Sequence, residues 1–90
     1  MKTETNKAGL DHIPGQVVFN HVNGPQESYV LTRWHKKVGD IINPPEIIAT
    51  LETASFYAEI ESCEIGVVEE LCFKIGETIP DGAVIARIRS

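Results

Sequence analysis

A chain of 90 residues with 42% hydrophobic and 23% charged content is sized for one small folded domain, which excludes a disordered segment and a multidomain enzyme. With 8 Lys and Arg against 13 Asp and Glu the net charge is -5, so no basic cluster is available to neutralise a nucleic-acid backbone. No apolar run approaches the roughly 20 residues that a membrane-spanning helix needs, and no membrane insertion is expected.

Residues 1–14 are polar, lack hydrophobic periodicity and end at Pro14-Gly15, which predicts a mobile tail followed by a domain over 15–90. The same stretch has no apolar core of the kind a secretory signal carries, so the expected location is the cytoplasm. In that compartment Cys63 and Cys72 are expected as free thiols. Together with His12, His21 and His35 they show none of the paired spacings that hold a metal, and no metal site is expected.

A first short strand is predicted over Gln16 to Asn20, then a loop to Glu27 that contains Asn23-Gly24-Pro25. Ser28 to Lys37 is the next extended segment. Its bulky members Tyr29, Leu31 and Trp34 are unevenly spaced, which predicts a bulge between the last two. An internal repeat follows. A shift of 37 residues lays Lys37-Val38-Gly39-Asp40-Ile41-Ile42 on Lys74-Ile75-Gly76-Glu77-Thr78-Ile79, and Ile47 to Leu51 on Val84 to Ile88. Each strand-turn-strand copy is too small to bury its own apolar face, so the two are expected to close as a pseudo-twofold pair over one core. Gly39 and Gly76 stand where a tight turn with positive φ favours glycine. The second copy has an Asp81-Gly82 turn where the first has Pro44-Pro45, and the first loop is expected to differ in shape.

Between the two copies lies Leu51 to Ile60, read as a hairpin turning at Ala54-Ser55. That turn sets Thr53 opposite Phe56, Glu52 opposite Tyr57, Leu51 opposite Ala58, Thr50 opposite Glu59 and Ala49 opposite Ile60. Ala49, Leu51, Ala58 and Ile60 then share an inner face, while Thr50, Glu52, Tyr57 and Glu59 share an outer one. Ala-Ser lacks the glycine or asparagine that favours the usual two-residue hairpin turns. The acids Glu52, Glu59, Glu61 and Glu64 form either a solvated face or a patch for a basic partner.

From Glu52 to Val68 the chain reads ETASFYAEIESCEIGVV, which resembles without a gap the lipoyl-domain pattern E-T-D-K-A-V-V-E-V-E-S-P-x-S-G-V-V. Trp34-His35-Lys36-Lys37-Val38-Gly39-Asp40 is similar to the W-x-x-K-x-G-D of the same family, the lipoyl domains of 2-oxo acid dehydrogenase acyltransferase components. The resemblance spans about Val17 to Ile88. It implies an all-β fold, a flattened β-barrel or barrel-sandwich hybrid of two pseudo-twofold-related four-stranded halves. Phe56-Tyr57 and Glu59-Ile60-Glu61 also fit the biotinyl M-M-N-E-I-E, but Glu52-Thr53, Glu61-Ser62 and above all Trp34 look lipoyl.

In the family a tip lysine carries lipoate, or biotin in the biotinyl relatives, through an amide. Ser55 occupies that position here, Ala54 replaces the preceding aspartate and Phe56 the small residue that follows. A hydroxyl cannot form the amide, so the resemblance implies that lipoyl and biotin are both absent. Lys36, Lys37 and Lys74 lie beside the turn glycines and are not expected to substitute. A phosphopantetheine arm on Ser55 would need a helical context that this sequence does not offer. Catalysis at Ser55 would need a base and a pocket, and neither is expected at a protruding tip.

The expected function is therefore a non-catalytic, lipoyl-like protein-interaction module related to 2-oxo acid dehydrogenase complexes. Its tip, Thr53, Ala54, Ser55, Phe56 and Tyr57, is the candidate partner contact. The alternative is a structural barrel within a larger assembly of the adaptor or biotin-dependent enzyme type. For Phe56 two placements are open: an exposed anchor for a partner, or a ring folded back over Thr53 to close the hairpin end.

Overall fold

Strand alternation fixes which side chains meet. The computed structural model describes residues 2–7, 14–20, 28–62 and 64–90. Its strands are β1 (Lys2–Lys7), β2 (Gln16–Phe19), β3 (Val30–Trp34), β4 (Ile41–Ile42), β5 (Glu46–Glu52), β6 (Phe56–Ser62), β7 (Gly66–Leu71) and β8 (Ala83–Arg89). They form two four-stranded sheets, in the orders β1-β6-β5-β3 and β2-β8-β7-β4. In β6 the inward residues Phe56, Ala58, Ile60 and Ser62 are buried, whereas Tyr57, Glu59 and Glu61 are half-buried on the outside. The inner faces of both sheets meet in one core, which takes Leu31, Leu51 and Ile60 from one sheet and Phe19, Ile42, Val68 and Ile85 from the other.

The repeat seen in the sequence is also a repeat of backbone geometry. β3 slips against β5 between Leu31 and Arg33, and β7 slips against β8 between Val68 and Glu70, at equivalent places in the two copies. The bulge expected before Trp34 is the first of these. Ile48 of β5 and Ile85 of β8 are likewise each passed over in the pairing with β6 and β2.

The turns are cross-linked between the halves. Gly39 donates its N–H to the Val68 carbonyl and Gly76 donates to the Leu31 carbonyl, both at 2.8 Å. In return Val68 N–H reaches Asp40 O and Leu31 N–H reaches Glu77 O, both at 2.9 Å. Asp40 and Glu77 each accept a main-chain N–H through the side chain, from Lys37 and Lys74 respectively. Gly39 and Gly76 adopt φ of 94° and 95°, as the turn reading requires. The loops diverge as expected: Gly82 has φ of 79°, while Pro44 and Pro45 are joined by a cis peptide.

Within the stretch expected as a tail, Lys2–Lys7 lie parallel to β6 in a register running from Lys2 beside Phe56 to Lys7 beside Glu61. Without β1, β6 would be an edge strand with a row of main-chain donors and acceptors open, and an extended polar segment can satisfy them without an apolar signal in its sequence. The expected loop over 21–27, His12, His21 and Cys63 lie outside the described residues.

Of the two placements open for Phe56, the structure has the inward one. It is 6% exposed, and its ring meets Tyr29 edge-on at 5.8 Å, while Tyr29 meets Phe19 at 4.9 Å. The cause is parity, since Phe56 shares the inward side of β6 with Ala58 and Ile60.

Phe56→Ala is expected to lower stability by about 3–5 kcal/mol through loss of this aromatic row, read by urea denaturation. A loss below about 1 kcal/mol would place the ring outside the core. Gly39→Ala and Gly76→Ala should each cost about 1–2 kcal/mol from left-handed φ alone, because nothing lies within 4 Å of either added Cβ. The two losses should match, and a marked inequality would show that the halves are not mechanically equivalent.

Candidate functional site

The β5–β6 hairpin has the expected register, with Glu52 opposite Tyr57, Leu51 opposite Ala58, Thr50 opposite Glu59 and Ala49 opposite Ile60. Ala54 and Ser55 are exposed at its apex. Among the described residues no non-glycine has positive φ, so the turn closes without the left-handed residue that primed turns use. Thr53 supplies the closure. Its N–H donates to the Phe56 carbonyl at 2.8 Å, and its hydroxyl donates to the same oxygen at 3.1 Å. The hydroxyl also accepts the N–H groups of Ser55 and Phe56, each at 3.1 Å. One side chain thus satisfies the donors that an Ala-Ser turn would leave open.

The structure brings together Thr53, Ala54 and Ser55 at the apex, with Tyr57 and Glu52 side by side on the outer face just below it. Phe56 is withdrawn beneath. Ser55 therefore presents an alcohol on an exposed tip. The ring nitrogen Nε2 of His35 lies 2.8 Å from the hydroxyl of Thr50. Burial, and then the Arg33 charge, hold that imidazole below its ordinary pKa, with Glu59 opposing.

The four acids do not form one patch. Glu52, Glu59 and Glu61 take outward positions on β5 and β6. Glu64 lies past the far end of β6, where its carboxylate oxygens accept the Gly15 N–H at 3.0 and 3.2 Å and fasten the start of β2. That role could not be foreseen, because nothing in the sequence links Glu64 to Gly15.

The lysines near the turn glycines are not tip residues. Lys36 donates to the Ile41 carbonyl at 3.2 Å and pairs with Glu46 at 2.8 Å. That ammonium and the Asn43 N–H hold the Glu46 carboxyl below its usual range, the Asn43 bond being the larger cause. Trp34 acts as a structural staple, its indole N–H donating to the Phe73 carbonyl of the other copy at 3.0 Å. The Cys72 thiol is pushed up by burial and by Glu70, with Arg87 opposing. No three His, Cys, Asp or Glu side chains converge among the described residues.

Comparison with known proteins bears on this geometry directly. The Biotin_lipoyl family model, described as "Biotin-requiring enzyme", matches residues 20–88. The dihydrolipoyllysine-residue acetyltransferase component of the acetoin cleaving system of Bacillus subtilis is 38% identical over 55 residues, covering 61% of this chain and 14% of that protein. The dihydrolipoyllysine-residue succinyltransferase component of the 2-oxoglutarate dehydrogenase complex of Staphylococcus saprophyticus is 39% identical over 56 residues, covering 62% of this chain and 13% of that protein. The chain thus spans only a small fraction of the length of these relatives. The lipoyl domain of the Azotobacter vinelandii 2-oxoglutarate dehydrogenase complex superposes with a TM-score of 0.65 at 23% identity, covering 81% of this chain and 95% of that domain. With a family model matched across residues 20–88 and a solved lipoyl domain of like fold, this chain belongs to the biotin/lipoyl domain family and has the lipoyl-domain fold.

Proposed function

We propose that this chain is a lipoyl-like domain without an arm: a cytoplasmic, non-catalytic interaction module of a 2-oxo acid dehydrogenase type of assembly that carries neither lipoate nor biotin. One observation carries the reading. Ser55 stands at the exposed apex of a well-closed hairpin, where an amide linkage would require an amine. The hairpin keeps its shape through Thr53, so the surface a partner would read persists while the chemistry of a carrier does not. Catalysis by Ser55 lacks support, since the imidazole of His35 is engaged with Thr50 down the strand from the apex. With Phe56 in the core, the contact surface consists of Ala54, Ser55, Glu52, Tyr57 and Glu59.

A second reading, a structural barrel within a larger assembly, is favoured by apolar side chains left in solvent. Val38, Ile41, Ile65 and Ile75 are 61%, 61%, 63% and 56% exposed. Ile41 pairs in register with Val67, and Ile65 precedes β7, so part of this surface is continuous at the end of the barrel away from the tip.

Affinity purification of the tagged chain from its own cells, with mass spectrometry of the intact bait, separates the readings. The armless module predicts an unmodified mass and dehydrogenase-complex components among the partners. Transport or envelope components would favour the structural barrel, and a lipoyl or biotinyl mass increment would overturn the armless reading.

Restoring the amine tests the site itself. Ser55→Lys with Ala54→Asp should become a substrate for a lipoate ligase in vitro. Adding Thr53→Ala should slow that modification by loosening the turn. An intact fold that the ligase ignores would show that the apex alone does not define the attachment position.

A further inference from the structure

We draw no further inference here: the strongest candidate, the exposed apolar patch at the end of the barrel away from the tip, where Ile41 of β4 pairs in register with Val67 of β7 and Ile65 precedes that strand, carries nothing because nothing in the structure shows what covers it.

Discussion

Everything in this barrel depends on a reciprocal main-chain exchange between its halves. The turn of the first copy is bonded through Gly39 to Val68 in β7, and the turn of the second is bonded through Gly76 to Leu31 in β3. Each turn has bonds of its own, but the N–H of its glycine is taken by the other copy. A domain of this size buries only about 60–65% of the surface of its unfolded chain, so it has little apolar area with which to offset unpaired polar groups. Cross-bonded turns answer that limit by making the closure of each half the condition for closing the other. The Trp34 indole on the Phe73 carbonyl adds a third tie across the same junction.

The hairpin that projects from this frame is asymmetric by construction. β8 pairs with β2 as β5 pairs with β6, and the bulges correspond, yet no short turn joins β8 to β2. The two-residue turn at Ala54-Ser55 therefore has no counterpart in the other half. Its closure is local, through the Thr53 hydroxyl and the buried Phe56 ring beneath it. A side chain performs there what a left-handed glycine performs in the repeat turns. This explains why the apex tolerates Ala-Ser although neither residue favours a hairpin turn by itself.

Much of this was legible in the residues, and the parts that were not have physical reasons. The hairpin register could be read because a one-residue slip would have exposed Leu51 and Ile60. The turn glycines could be read because positive φ leaves few other choices. Phe56 was readable and still left open: its parity with Ala58 and Ile60 points inward, but closeness to a tip suggests exposure, and only Tyr29 beneath it decides the matter. The strand β1 was not readable, because a polar segment pairing at an edge contributes main-chain bonds that leave no hydrophobic period. The bond from Glu64 to Gly15 joins residues far apart in sequence, and side-chain charge does not reveal a partner at that range.

The division of labour between repeat and apex bears on what this domain can become. The residues that close the barrel, from Gly39 and Gly76 to Leu31 and Val68, lie in or pair with the repeated segments. Ala54 and Ser55 are exposed, and the turn they occupy is held by the neighbouring Thr53. A change of side chain at the apex therefore alters what the tip can bond to without disturbing what holds the tip in place. Phe56 is the exception, since it serves the core and the hairpin end at once. Its bulk beneath the apex ties the height of the tip to the packing of Tyr29 and Phe19, so the most constrained position in the tip sequence is the one least available to a partner.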